Sequence, residues 1–206
     1  VDEVAEAERR EPDLLVRRGV GRLDVEVAAV GVDVPDARAH GLGRDDARHR
    51  AAIWHALQSG VVDVLGSDHA PHTREEKEHT YPDTHSGMTG VQTLVPTMLD
   101  HVNAGRLSLQ RLVDLTSHGP QRLFGIRNKG RIAVGYDADL TVVDLKRRVR
   151  ISNDWIESRC GWTPYDGATV TGWPVGTFVR GQRVMWEGEI AASAHGAPVR
   201  FLEGAR

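Results

Sequence analysis

The sequence contains one cysteine, Cys160, in 206 residues, which excludes an internal disulfide and any metal site made only of thiolates. A basic excess is also absent. Lys and Arg total 26 against 29 Asp and Glu, for a net charge of −3 and a pI near 6.4, so neither nucleic acid nor an anionic membrane surface is expected as the main partner. No apolar run approaches the roughly 18–20 residues of a membrane span, and no charged-then-apolar signal opens the chain. The expected compartment is the cytoplasm. The length falls short of the about 250 residues of a complete (β/α)₈ barrel. What is present, 40% hydrophobic and 27% charged residues, describes an ordinary globular protein.

A second absence is local. Residues 1–52 use only nine residue types, and serine, threonine, lysine, asparagine, isoleucine and all aromatics first appear from Ile53 onward. All nine can be written with codons beginning in G or C, the alphabet a shifted frame gives in a GC-rich gene. Residues 1–45 are therefore expected to be an atypical segment, out of frame or disordered, with the true frame recovered near Asp45–Arg50. The alternative is a charged linker or helix of biased composition. Weak patterns survive in it: a charged helix over Val1–Arg18 and a strand-like alternation over Leu23–Val34. Gly19-Val20-Gly21 lacks the third glycine of a nucleotide fingerprint.

From residue 46 the pattern sharpens. Asp45 or Asp46 can cap a helix carrying Ile53, Trp54 and Leu57, with Gly60 placed to end it. Val61–Gly66 reads as a buried strand and runs into Ser67-Asp68-His69-Ala70-Pro71-His72-Thr73. A helix, a strand and then ionisable groups at the strand's C-terminal end is the order of one unit in a parallel α/β barrel, whose chemistry lies at that rim. Asp68 there can ligate a metal or accept a proton from water, and His72 can bind an anionic group; the plainer reading makes Asp68 a cap and Pro71 a loop shaper. Arg74–His79 reads as a solvated loop or short helix.

Val91, Leu94, Val95, Met98, Leu99 and Val102 mark an amphipathic helix with Pro96 in its first turn. Ser108 can cap another, carrying Leu109, Leu112, Val113 and Thr116 and stopping at Gly119-Pro120. Beyond Lys129 the period changes to two: Arg131–Val134, Leu140–Leu145, Thr169–Trp173 and Thr177–Trp186 read as strands, with a turn at Gly181-Gln182. Trp155, Trp162, Trp173 and Trp186 are expected to anchor this β core, and Cys160 to be an inert buried thiol. The expected division is an atypical segment at 1–45, a last barrel strand with its flanking helices at 46–127, and a β module at 128–206.

Three stretches carry a resemblance. Gly66–Thr73 followed by Ser86-Gly87-Met88-Thr89-Gly90-Val91-Gln92-Thr93-Leu94 resembles the last barrel strand and following loop of dihydroorotases in the amidohydrolase superfamily. Lys129–Leu140 is similar to the start of that family's C-terminal β-sandwich, and Gly172–Gly188 to its end. In family order they span about residues 46 to 206. The implied fold is the C-terminal part of a metal-dependent α/β barrel followed by a small β-sandwich. The implied activity is zinc-dependent, reversible hydrolysis of dihydroorotate to N-carbamoyl-L-aspartate in pyrimidine synthesis. Asp68 then matches the zinc-ligating carboxylate and general base. His72 matches the histidine binding the substrate carboxylate, and Thr89 and Gly90 the loop lining the substrate ring, its glycines allowing close approach. His69 carries no implied ligand role.

The family's His-x-His pair, bridging lysine and middle-strand histidines have no counterpart here, and His40, His49 and His55 read as surface residues. The truncated chain is thus expected to be inactive and to bind no catalytic zinc tightly alone. Its expected partner is a small-molecule substrate, with a homo-oligomer or a transcarbamoylase as a protein partner. Alternatives are an allantoinase or hydantoinase relative and a non-catalytic, amidohydrolase-like partner of a transcarbamoylase. A barrel fragment should also expose an apolar face where neighbouring strands are absent.

Overall fold

The computed structural model describes residues 27–29, 47–80, 82–193 and 196–202, with side chains from residue 50 onward. The expected Val1–Arg18 helix, Gly19-Val20-Gly21, His40 and the side chain of His49 lie outside these. Strand β1 (Val27–Ala29) falls within the strand-like alternation of the biased segment and pairs in parallel with β2 (Val64–Gly66). Between them runs helix α1 (Ala47–Ser59), ended by Gly60 at φ +84°. The buried strand is shorter at its start than the sequence suggests, because Val61 is exposed in the turn leaving α1 and donates its N–H to Ala56 O at 3.2 Å.

Helix α2 (Arg74–Lys77) is one turn within the polar loop. Helix α3 (Leu94–Asn103) has Pro96 in its first turn, as its missing N–H requires. Ser108 Oγ accepts from Arg111 N at 3.1 Å and caps α4 (Leu109–Val113). The helix then does not stop at Gly119-Pro120. It widens into a π turn over Asp114–His118 and continues as α5 (Gly119–Phe124), ending only at Gly125 in the left-handed region. Pro120 sits in the first turn of α5, where a donor is dispensable, and the π turn realigns the chain ahead of it.

One core fills the space between α1, β2, α3 and α4, around Leu57, Val62, Leu65, Met98, Leu99 and Leu115. Arg111 locks it from the edge, donating to Leu57 O at 2.8 Å and to Val62 O while paired with Asp114 at 2.6 Å.

The second half is a four-stranded antiparallel sheet in the order β3 (Leu140–Arg150), β4 (Thr169–Val179), β5 (Gln182–Trp186), β6 (Glu189–Ile190). Strand β3 outruns the expected Leu145 end because a bulge absorbs Leu145, Lys146 and Arg147: Asp144 Oδ1 accepts from Lys146 N at 2.9 Å and Arg147 N at 3.2 Å before pairing resumes at Arg148. Thr169–Trp173 and Thr177–Val179 are one strand, not two, with Pro174 at a register shift where no ladder N–H is needed. The turn to β5 is Arg180-Gly181, both at positive φ, one residue before the expected pair. Arg131–Val134 is not a strand; Ile132 and Val134 are 91% and 105% exposed, so the alternation there has no described surface to pack on.

A second core joins Ile151, Tyr165, Val170 and Trp173, with Trp155 against Trp173 at a ring separation of 4.7 Å. Trp186 is 40% exposed and anchors no core, and Cys160 is half-buried with Sγ 3.1 Å from Ser158 Oγ. The halves meet along α3 and β4: Thr171 N donates to Asp100 Oδ1 at 2.8 Å, and Asn103 Nδ2 to Thr171 O at 2.9 Å. The described residues form an α/β unit joined to an antiparallel sheet. No helix among them is long and apolar enough to cross a membrane.

Candidate active site at the end of strand β2

Strand β2 delivers Ser67-Asp68-His69 at its C-terminal end. Asp68 is a non-glycine residue at φ +44°, exposed, in the left-handed region that aspartate tolerates better than most residues. The chain then runs beside the loop that follows α2: His69 bridges Met88 in parallel, and Ala70 N donates to Met88 O at 3.0 Å. His69 Nδ1 accepts from Gly90 N at 3.1 Å and from Val91 N at 3.4 Å, which leaves the neutral ring's proton on Nε2. The unassigned His69 is therefore the tie between strand end and loop.

The glycines of that loop serve the protein's own packing. A Cβ on Gly90 would lie 2.6 Å from Ser67 O, and one on Gly87, at φ +94°, 2.5 Å from Ala70 Cβ.

His72 is half-buried. Its Nδ1 lies 3.2 Å from Glu76 Oε2, and its ring stacks at 4.8 Å on His85. Thr73 and Glu76 form a reciprocal capping box: Glu76 N donates to Thr73 Oγ1 at 3.3 Å and Thr73 N to Glu76 Oε2 at 2.9 Å. The Thr73 N–H holds the Glu76 carboxyl below its ordinary range, and His72 adds to the effect. Lys77 Nζ fastens the loop by donating to the carbonyls of His85 and Gly87, and burial lowers its pKa. Arg74–His79 is thus a built turn.

Trp162 was expected in the β core but brackets the site instead. Its indole N–H donates to His72 O at 2.7 Å, while its own carbonyl accepts from Thr89 Oγ1 at 2.7 Å. Gln92 extends the bracket, donating to Trp155 O at 2.7 Å and accepting from Glu157 N at 2.9 Å. A cavity of about 210 Å³ lies beside this loop, lined by His69, Thr89, Gly90, Gln92, Ile156 and Glu157; neither Asp68 nor His72 lines it.

The structure therefore links His72, Thr89 and Gly90 through Trp162 and His69, with Asp68 next in sequence to His69. Among the described residues no three His, Cys, Asp or Glu side chains converge as a metal group. Asp68 supplies one carboxylate, and His55 is exposed on α1. These residues alone do not fit a catalytic metal.

The amidohydrolase family matches residues 26–184, a span that starts inside the biased segment. The dihydroorotase of Halobacterium salinarum is 42% identical over 157 residues, 76% of this chain and 36% of that protein. The L-hydantoinase of Paenarthrobacter aurescens is 43% identical over 143 residues, 67% of this chain and 31% of that protein. Among solved structures, an L-hydantoinase (dihydropyrimidinase) from Arthrobacter aurescens superposes with a TM-score of 0.68 at 40% identity, over 71% of this chain and 34% of the other. The chain spans about a third of the length of these relatives. A match over 159 of 206 residues, with the strand-end Asp68-His69 and the Thr89-Gly90 loop built as one unit, makes this chain a member of the amidohydrolase family.

Proposed function

We propose that this chain is the C-terminal part of a dihydroorotase-type cyclic amidohydrolase, contributing the last barrel strand, its substrate loop and part of a β-sandwich. The supporting observation is the coupling of His72 to Thr89 through Trp162, with the exposed Asp68 at the end of the same strand, four residues before His72. Asp68 takes a proton from the attacking water and returns it to the leaving amide nitrogen. His72 binds the carboxylate of the ring substrate, which favours dihydroorotate over hydantoins lacking that group. In a complete barrel Asp68 would be one ligand of a zinc ion, which would supply Lewis-acid chemistry; the described residues bring no group of three such ligands together. Residues 1–45 are an atypical segment, and translating the coding DNA upstream of codon 53 in all three frames decides whether another frame supplies the metal histidines.

The activity test is a chimera in which residues 47–202 replace the matching segment of the Halobacterium salinarum dihydroorotase. It is expected to hydrolyse dihydroorotate, and Asp68→Asn to lower kcat at least about 10²-fold. A folded chimera that opens a hydantoin and not dihydroorotate refutes the substrate assignment. Full activity in Asp68→Asn refutes the catalytic one.

A further inference from the structure

We propose that Glu76 is a positioning residue for His72, its carboxylate accepting from Nδ1–H and so fixing the ring's orientation with Nε2 as the opposite edge, where an anionic ligand is held by the Nε2–H of the doubly protonated ring. A capping box needs only one acceptor bond from its glutamate to the cap N–H. Here the same Oε2 lies 2.9 Å from Thr73 N and 3.2 Å from His72 Nδ1, so one oxygen terminates the helix and holds the imidazole. An ionised carboxylate accepts only, so the shared proton belongs to Nδ1. The carboxyl is held below its ordinary range first by the Thr73 N–H and then by His72, which keeps it an acceptor at neutral pH.

The remaining sides of the ring are also set. His85 covers one face at 4.8 Å, and its backbone carbonyl is fastened by Lys77, the residue after Glu76. The His72 carbonyl is held by the Trp162 indole N–H at 2.7 Å. One short turn, Thr73 to Lys77, thereby fixes the edge of His72 through Glu76 and its face through His85. The reading of His72 as substrate ligand belongs to the proposed function; the clamp stands on geometry alone.

Two measurements separate them. In the 206-residue chain, long-range ¹H–¹⁵N correlation reads the His72 tautomer directly. Nδ1–H is expected in the wild type and in Glu76→Gln, whose amide oxygen still accepts, with a shift towards Nε2–H in Glu76→Ala. Thr73→Ala removes the other half of the cap but leaves the carboxylate, and is expected to preserve the wild-type tautomer. A wild-type Nε2–H form, no change in Glu76→Ala, or an equal change in Thr73→Ala overturns the proposal. In the dihydroorotase chimera, Glu76→Ala is expected to raise KM about tenfold or more with kcat within about threefold, and Glu76→Gln to recover most of the loss. An unchanged KM overturns the positioning role. An unsubstituted chimera without activity refutes the proposed function and leaves the clamp to be decided by the tautomer.

Discussion

Replacing Gly90 by alanine tests whether the loop carrying Thr89 and Gly90 is seated on the end of β2 as tightly as the structure requires. The added methyl would lie 2.6 Å from Ser67 O and 3.5 Å from Ser67 Cβ. Ordinary van der Waals contact begins near 3.4 Å, so the loop must retreat by about 0.8 Å. The obstacle is a backbone carbonyl at the strand end and cannot swing away as a side chain would. Retreat strains the bonds that Gly90 anchors, from its N–H to His69 Nδ1 at 3.1 Å and from Leu94 N to its carbonyl at 3.0 Å. Overpacking of this kind costs about 1–3 kcal/mol. With a urea m-value of about 1–3 kcal/mol per molar, the midpoint falls by roughly 1 M, read by tryptophan fluorescence on the 206-residue chain. In the active chimera a displacement approaching 1 Å costs up to about 10² in turnover. Gly66→Ala is the control, since a Cβ there meets nothing within 4 Å. It is expected to stay within about 0.5 kcal/mol of wild type. If Gly90→Ala is as neutral as Gly66→Ala, the seating of the loop is wrong.

Leu115 is fully buried under α4 and β2, and Leu115→Ala is expected to cost about 3–5 kcal/mol in denaturant unfolding; a cost below about 1 kcal/mol would mean the first core is loosely packed. Thr89→Val removes the hydroxyl that donates to Trp162 O and is expected to cost about 1–3 kcal/mol, whereas Thr89→Ser keeps the bond and much of the stability; equal losses refute the bracket. Burial opposes charge on Asp139, but Lys129 and the Arg180 N–H outweigh it and hold its carboxyl below the ordinary value. Its contribution is therefore present above the ordinary carboxylate range and lost as pH falls through the lowered value, so the urea midpoint should drop below about pH 4 and Asp139→Asn should flatten that slope. Lys129, held above its ordinary value first by Asp139, gives the reverse signature, with stability lost only as pH rises through the raised value.

Helices were legible where chemistry is local. The Ser108 cap, Pro96 in a first turn and Gly60 at a helix end each act within one turn of chain, and all three stand as the sequence implies. Errors arose where a local signal has two outcomes. Gly119-Pro120 ends a helix or begins one, and the π turn before it decides for the second. Alternation at Arg131–Val134 matches a strand, yet a strand needs a neighbour, and none among the described residues pairs with it. Asp144 turned an expected strand end into a bulge because its side chain could satisfy two N–H groups that the ladder abandoned.

The same division runs through the site. Asp68 and His72 stand out as candidates because strand, turn and ionisable residues follow one another within a few positions. Trp162 was not, since its partners His72 and Thr89 lie 90 and 73 residues away and nothing in a tryptophan's surroundings tells whether its N–H points into a β core or across to another loop. A hydroxyl at Thr89 and a carbonyl at His72 are equally ordinary in sequence; only the fold brings them to one indole. His69 shows the converse, a conspicuous ionisable residue used for a purely structural tie. The residues that carry charge mark where the chemistry is, while Trp162 and Thr89, which fix part of its geometry, are buried, neutral and distant in the chain. Substituting Trp162 should therefore disturb His72 and spare Thr89: Trp162→Phe keeps the ring but loses the donor to His72 O, and is expected to loosen the 72–76 turn while leaving the Thr89 bond to the residue 162 carbonyl in place. Amide hydrogen exchange resolves the two, and equal protection of both segments in wild type and variant would show that the indole N–H contributes nothing to holding the site.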